Sequence, residues 1–557
     1  MPENPIESHA QGPAEVSRLF ELLLFLILSF CAWLLFLSAG LFWLGVGLSA
    51  WHAPAALALA LICGRLWARG QGGPKSAAGF WAGAGTFALL LILCHLLAGL
   101  IYDFSYDGQC YHQDGIMALA EGWNPVQNPF PAKFTYMLKH YPKGSWIWAG
   151  AIYKLTGGIE PGKMFNLLFL AVGFLAAFNF LGRVRLGSAG LRIWLALLGA
   201  VGPTVVTELY SYYLDGMLVN LLLIVLLLSL DFYLYGQKRH LWLLFLAGIV
   251  LFNLKFTALI YGLAFMFFLA LALWRKDRAR GLIYGKCVLA AFVLGGLMVG
   301  YNPYVTNTVY YYSPFYPMPK ENVARFQAPP DFMQKDRFRK LFYSLFSTSS
   351  ANMRKMPRLK IPFTVKSSEI ASLGTTSLRY GGLGPLSSGV LVLLPMGALL
   401  VFRRSPRLFW AGAGLTGLVL LTVLAIPEPW YTRFVPQLWL IPMSWLALLF
   451  LAQGRAARVL AGVILALLTL NQALFLGANL AHWQRTQKAF DQQIAELKEA
   501  SRTGRVTVQG NWRSQRLRLE SLGLDFQWVS ALGCPKPEYL IGSDGTTRIC
   551  VLPGGVK

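Results

Sequence analysis

Uninterrupted apolar stretches of roughly 18 to 25 residues recur along this chain, each long enough to cross about 30 Å of hydrocarbon as a helix. Inside a bilayer the backbone finds no water, so a crossing segment must satisfy its own amides and carbonyls, which an α-helix does. The composition agrees. Of 557 residues 56% are hydrophobic and 13% charged, and the mean hydropathy of +0.51 lies outside the range of an ordinary soluble domain. About thirteen spans are predicted. They lie approximately at 19–38, 42–66, 79–101, 162–182, 190–209, 214–235, 240–254, 256–274, 282–301, 385–402, 407–426, 434–452 and 456–478.

Basic residues orient these spans. Arg65 and Arg69, Arg183 with Arg185 and Arg192, and Lys238-Arg239 lie between alternate pairs. So do Arg275-Lys276 with Arg278 and Arg280, Arg403-Arg404 with Arg407, and Arg455 with Arg458. The positive-inside rule makes that side cytoplasmic and carries the C-terminus to the far side. The first apolar segment follows Arg18 and lacks a small-residue cleavage site, which reads as an anchor. The expected division is a cytoplasmic tail at 1–18, an all-α transmembrane region at 19–482 with outer loops at 102–160 and 302–384, and an extracytoplasmic C-terminal domain at 483–557. That last part opens with a helical stretch, AFDQQIAELKEASR. Then RVTVQG, FQWVSAL, PEYLIG and TRICVL read as short strands separated by Gly, Asp and Pro turns, giving a small α/β or mostly β domain. Cys534 and Cys550 both fall there, where an oxidising compartment would let them close a loop of about 15 residues. Cys31, Cys63, Cys94 and Cys287 lie in or beside apolar spans as small hydrophobes. No CxxC pair and no zinc-spaced His/Cys cluster occurs.

The net charge of +24 comes partly from the cytoplasmic flanks and partly from the outer loop at 302–384. That loop carries Lys335, Arg337, Arg339, Lys340, Arg354, Lys355, Arg358 and Lys360. Two readings stand side by side: a surface facing lipid headgroups, or a funnel for a phosphate-bearing substrate. No nucleic-acid recognition module is present. The prolines of NPYVTNTVYYYSPFYPMP forbid long regular structure at the start of this loop. In the earlier outer loop, Trp146, Trp148 and Tyr153 have spacing suited to a helix lying in the membrane interface.

Acidic residues are scarce, 25 in all, yet Asp103, Asp107 and Asp114 fall together in YDFSYDGQCYHQDG, directly after the apolar run that ends at 101. On a continuous helix Asp103, Asp107, Tyr111 and Asp114 would share a face, but Gly108 makes Asp107 the better helix opener. Asp107 then either caps that helix or does general-base or cation-stabilising work. His112 either binds a substrate or carboxylate, or packs. Asp215, at the outer mouth of the sixth span, and Glu208 before it either cap or face the same cavity. Lys255 in NLKFTAL interrupts apolar sequence where a lysine in hydrocarbon would be expensive. It either snorkels or binds a lipid phosphate, with Asn253 and Thr257 in support. Glu428 and Arg433 share IPEPWYTRFVPQL and either pair with one another or leave Arg433 to a phosphate, which guanidinium grips with two parallel hydrogen bonds. Walker A, GxSxG and HExxH sequences are lacking, so the energy of any reaction must come with the substrate.

Five short elements in order resemble the GT-C superfamily of integral-membrane glycosyltransferases. Asp107-Gly-Gln-Cys-Tyr111-His112 resembles its DAxxYH-type loop, Tyr213-Leu-Asp215-Gly216 its YxDG element, and Leu254-Lys255-Phe-Thr257 its TKxT-like hairpin. Asn302-Pro303 with Ser313-Pro314-Phe-Tyr316-Pro317 is similar to the NP…GNPxYP element, and Tyr431-Thr-Arg433-Phe434-Val-Pro436 to the RYxxP element. The likeness covers roughly residues 80 to 450. It implies a sugar donor on a polyprenyl phosphate, used at the outer face of a bacterial cytoplasmic membrane on a glycan, lipid or protein acceptor. Carried over, Asp107 is the base, and Lys255 and Arg433 hold the donor phosphate. Tyr111, His112, Tyr213 and Asp215 line the sugar and acceptor pocket, joined by Glu428 and Tyr316. The implied reaction is an inverting displacement. Many relatives carry adjacent acids after the first span; here an extra hairpin precedes the loop and the acids are spaced. Asp103 and Asp114 therefore stay in contention as base, and participation of a divalent cation stays open. The competing expectations are a lipid-linked sugar transporter or flippase, and an O-antigen-ligase-like enzyme that uses lipid diphosphate donors.

Overall fold

The structure is a computed structural model that describes residues 15–71, 77–318 and 327–553; most of the expected N-terminal tail lies outside the described residues. Each apolar segment expected to span contains helix, although the one expected at 42–66 is turn and coil over 44–51 and its helix is His52–Gln71. Among the described residues nine helices are long and apolar enough to cross a membrane, Ser17–Trp43, Asp215–Tyr235 and Phe256–Lys276 among them. Three apolar helices are shorter: Ala189–Ala200, Arg239–Phe252 and Pro436–Ala452. His52–Gln71 completes the set, packed along Glu15–Trp43. Outward faces of this bundle are apolar, with Leu89 56%, Ile92 55%, Trp410 66% and Leu421 53% exposed. Water would penalise such a surface, whereas hydrocarbon does not.

Two segments depart from the expected spans for identifiable reasons. The stretch read as 190–209 is two helices, Ala189–Ala200 and Pro203–Glu208. Pro203 lacks an amide donor and forces Gly202 into an extended conformation (φ −72°, ψ 163°), which stops the first helix and starts the second. The stretch read as 456–478 does not end there: Arg455–Thr503 is one helix of 49 residues, about 74 Å at 1.5 Å per residue. It has no internal proline, and its buried stripe continues through Trp483, Phe490, Ile494 and Leu497 at helical spacing. The polar tail stretch is the far end of this same helix.

The far end carries a four-stranded sheet in the order β2-β1-β4-β3, from β1 (Gly504–Gln509), β2 (Gln527–Trp528), β3 (Glu538–Tyr539) and β4 (Arg548–Pro553). β1 is parallel to β2 and antiparallel to β4, in a register that sets Val506 opposite Val551 and Val508 opposite Ile549. Val506, Val508, Leu519 and Ile549 form a small apolar core with Phe490, Ile494 and Leu497 of the long helix. Cys534 and Cys550, the latter on β4, are bonded to one another. The helix Arg513–Ser521 makes this C-terminal unit α/β.

The expected interfacial tryptophans are core residues instead. Trp146 and Trp148 are both 0% exposed; Trp146 donates to His112 and Trp148 to the carbonyl of Cys31. Between Val305 and Pro385 the described part of the chain forms short helices, among them Thr306–Tyr311, Arg337–Phe346 and Ser367–Leu373, and two isolated β-bridges. Its basic residues divide: Lys340 and Lys360 are buried against Glu428 and Glu369, while Arg337, Arg339, Arg354, Lys355 and Arg358 are exposed.

The helix Asp215–Tyr235 is bracketed by charge. Near its last turn, Asp231, Arg183, Arg239, His240 and Glu21 form a buried ion-pair cluster. Asp215 opens the helix sixteen residues earlier, about 24 Å away along the axis. The candidate site is built around that first turn.

Candidate functional site

Four helix-end residues meet here. Asp215 is the first residue of Asp215–Tyr235, where the exposed amides of a helix N-terminus favour a carboxylate. Lys255, in extended backbone (φ −158°, ψ 155°), precedes Phe256–Lys276. Arg433 lies in the 3-10 turn Thr432–Phe434, and Asp107 immediately precedes the π-helical turn Gly108–His112, which runs on into the α-helix Gln113–Ala120. Each stands where an apolar run gives way to irregular backbone, so a charged side chain avoids hydrocarbon while reaching its partners.

The four form a chain of alternating charge. Lys255 Nζ donates to Asp215 Oδ1 at 2.5 Å, Arg433 Nε donates to Asp215 Oδ2 at 3.0 Å, and Arg433 Nη2 donates to Asp107 Oδ2. Side-chain exposure is 2% at Asp215, 13% at Arg433, 14% at Lys255 and 21% at Asp107, so Asp215 is the buried member and Asp107 the most open end of the chain. Tyr213 braces it: its ring lies 4.0 Å from the Arg433 guanidinium, and its hydroxyl oxygen accepts from the Asp107 amide at 3.4 Å. Phe434 lies 5.7 Å from Lys255 Nζ. With both cations matched by carboxylates, the cluster is close to neutral. An incoming phosphate would find a bidentate guanidinium and an ammonium beside a carboxylate that can take a proton.

His112 backs this cluster rather than acting in it as a base. Trp146 Nε1, which can only donate, gives its hydrogen to His112 Nδ1 at 2.8 Å. Nδ1 is therefore occupied as an acceptor, and the remaining proton is on Nε2. Burial holds the His112 pKa well below the ordinary range, and the nearby Lys255 and Arg433 add to this. A neutral imidazole that offers an N–H can orient a substrate oxygen. Tyr111 is buried, its ring 4.3 Å from that of His112 and 5.8 Å from that of Tyr141.

The remaining expected site residues lie apart from the cluster. Asp103 is 0% exposed, and its two oxygens accept from the amides of Ser105 and Tyr212, each at 2.8 Å. A β-carbon on Gly108 would come within 2.6 Å of the Asp103 carboxyl carbon, so glycine is required there for the loop to close over this carboxylate. Asp103 shapes the loop that presents Asp107. Asp114 is 25% exposed, with Arg513 of the C-terminal unit 4.0 Å away. Glu428 does not pair with Arg433: it accepts from Lys340 Nζ at 2.9 and 3.1 Å and from Trp430 Nε1 at 2.6 Å. Glu208 is buried and accepts from the amide of Gly216 at 2.7 Å, holding the first turn that carries Asp215. Tyr316 stacks on Tyr311 with ring centres 4.1 Å apart, in a separate aromatic group with His140. Asn253 donates to the carbonyls of Ile249 and Gly295 and does not join Lys255.

Several contacts of the site carried no sequence signal. Trp146 and Tyr141 hold His112 from a helix and a turn about thirty residues away, and Lys143 Nζ lies 5.7 Å from the Trp146 ring. Lys143 Nζ donates to the carbonyls of Lys139 and Tyr141 at 2.8 and 2.6 Å, and burial pulls its pKa well down. Among the described residues no group of three or more His, Cys, Asp or Glu side chains has the arrangement of a metal site. Compared with protein-family models, with curated proteins and with solved structures, the chain finds no match.

Proposed function

We propose that this protein is a multi-pass glycosyltransferase of the GT-C type, moving a sugar from a polyprenyl-phosphate donor to an acceptor hydroxyl. In this reading all thirteen apolar helices belong to the membrane region, and the Asp107 end opens outward from a bacterial cytoplasmic membrane. The opposite end carries Arg183 and Arg239, in keeping with the positive-inside rule. The supporting observation is the ion pair between Asp107 and Arg433, with Arg433 also bound to Asp215 and Asp215 to Lys255. It brings two carboxylates and two cations from four separate parts of the chain to the end of the helix bundle.

The chemistry follows from those groups. The acceptor oxygen attacks the anomeric carbon and its proton passes to Asp107. The bond from the anomeric carbon to phosphate oxygen breaks, and its electron pair leaves with the polyprenyl phosphate. Arg433 and Lys255 stabilise the charge that develops on that phosphate. Phosphate is a competent leaving group at neutral pH, so one carboxylate suffices. His112, neutral and donating from Nε2, orients a sugar or acceptor oxygen.

Purified full-length protein incubated with farnesyl-phosphate-linked hexoses and candidate acceptors tests this. General-base catalysis contributes about 10²- to 10⁴-fold, so Asp107→Asn lowers transfer by at least about a hundredfold. Arg433 keeps Asp215 in that variant, so the protein stays folded. A lipid-linked sugar flippase would give no transfer product with any variant and would move the lipid across vesicles instead.

A further inference from the structure

The loop that carries Asp107 is held from outside the helix bundle. Arg518, on the helix Arg513–Ser521, is 5% exposed. Its Nη2 donates to the carbonyl of Asp103 at 2.9 Å and to Glu160 Oε1 at 2.8 Å. The guanidinium also lies 4.9 Å from the ring of Tyr102, 5.7 Å from Phe104 and 5.9 Å from Phe490. Glu160 in turn accepts from the amide of Asp103 at 2.9 Å, so both backbone polar groups of Asp103 are bound within one network.

A second grip closes on the other side of Asp107. Gln109 is 1% exposed; its side chain and its carbonyl bind the C-terminal unit, and Nε2 also donates to the carbonyl of Ser105 at 3.3 Å. Its Nε2 donates to the carbonyl of Gly542 at 2.8 Å, and its Oε1 accepts from Gln515 Nε2 at 3.0 Å. Its carbonyl accepts from Ser514 Oγ at 2.7 Å. Between the grips, the ring of Tyr106 meets Trp512 edge-on with centres 5.0 Å apart. Gly542 has φ +73° and lies so close to Phe104 that a β-carbon would fall 2.1 Å from its ring. That packing excludes every residue but glycine.

We propose that the C-terminal unit is a positioning element for Asp107, with Arg518 and Gln109 as its positioning residues. Among the described residues the Asp107 side chain pairs with Arg433 and its amide with the Tyr213 hydroxyl, and Arg433 is the group a phosphate would claim. Once the guanidinium turns to a phosphate, the backbone on either side of Asp107 must keep the carboxylate in place. The grips at Asp103 and Gln109 do that without touching substrate. Misplacement by about 1 Å costs on the order of a hundredfold in rate, so the effect falls on the chemical step and not on donor binding. The assignment of Asp107 as base rests on the proposed function above; the mechanical claim does not.

Full-length wild type, Arg518→Gln, Gln109→Ala and Arg516→Gln in detergent micelles decide it. Arg516 pairs with Glu520 on the solvent side of the same helix and serves as the control. Three readouts are taken: amide hydrogen exchange, affinity for farnesyl phosphate, and transfer from farnesyl-phosphate-linked hexoses. In Arg518→Gln and Gln109→Ala the amides at 105–109 exchange at least about tenfold faster, while Asp215–Tyr235 keeps its protection. Farnesyl phosphate affinity stays within about twofold, kcat falls at least about tenfold, and the donor KM stays within about twofold. Arg516→Gln matches wild type. Unchanged exchange at 105–109 in both variants overturns the proposal, as does loosening of the whole bundle or a loosened loop with undiminished kcat. If Arg518→Gln does not fold, Gln109→Ala decides alone. If wild type transfers no sugar, the proposed function falls while the exchange data still decide the positioning claim.

Discussion

Arg433 is shared between two carboxylates, and this sharing makes it irreplaceable by lysine. Its Nε and Nη2 reach Asp215 and Asp107 separately, a division that one ammonium cannot reproduce. Arg433→Lys keeps the charge but loses one arm, so transfer falls at least about tenfold, with the larger share in donor KM; initial rates across donor concentration read this. Asp103 behaves differently, because burial raises its carboxyl to a pKa of about 6, with Lys163 opposing and Glu160 assisting. A carboxyl whose folded pKa lies above its unfolded value stabilises the fold below the unfolded pKa, and that contribution is lost as pH rises through about 6. Wild type therefore gains thermal stability relative to Asp103→Asn as pH falls from 7 to 4.5. Melting curves of the two proteins across that range check the sign. The sequence made Asp107, Asp215, Lys255 and Arg433 visible because each is a charge stranded at the edge of an apolar run. It favoured Asp107 but kept Asp103 in contention as base, since only the fold turns Asp103 onto the amides of Ser105 and Tyr212. Glu428 likewise lies five residues before Arg433, yet binds Lys340 from another part of the chain.

Among the elements, the helix Asp215–Tyr235 carries the site at one end and the ion-pair cluster at the other. Glu21 of the first helix pairs there with Arg183 and Arg239, tying Glu15–Trp43 to Met164–Arg183 and Arg239–Phe252. Removing one partner of a buried pair leaves uncompensated charge, a loss of about 3 to 5 kcal/mol. Glu21→Gln therefore lowers the melting temperature in detergent while leaving farnesyl phosphate affinity at the other end unchanged; a variant that weakens both would couple the two ends. The helices themselves were legible from apolar length. Their ends were less so: the loss of hydropathy after 478 marks where Arg455–Thr503 runs out of apolar sequence, not where the helix stops. Polar residues such as Gln484, Gln487 and Gln492 are good helix formers, and the stripe from Trp483 to Leu497 keeps them in register.

At the level of the whole molecule, one long helix joins the apolar bundle to the C-terminal unit, and that unit closes over the loop bearing Asp107. The basic residues near Glu21 and the exposed Arg354 and Lys355 are expected on opposite faces of the membrane. In a background without reactive cysteines, Lys355→Cys reacts with an impermeant maleimide in intact cells and Lys238→Cys reacts only after permeabilisation. The reverse pattern would invert the molecule. The strands and the Cys534–Cys550 bond were readable from local alternation and cysteine placement. The contact of Arg518 and Gln515 with the 102–112 loop was not, because nothing local marks partners about 400 residues apart. The central claim is that Arg433 and Lys255 receive a lipid phosphate next to Asp107. A cryo-EM reconstruction of the full chain with farnesyl phosphate tests it directly. The account predicts phosphate density within hydrogen-bonding distance of Arg433 and Lys255, with Asp107 facing it; phosphate bound elsewhere, with the Asp107–Arg433–Asp215–Lys255 chain undisturbed, would contradict it.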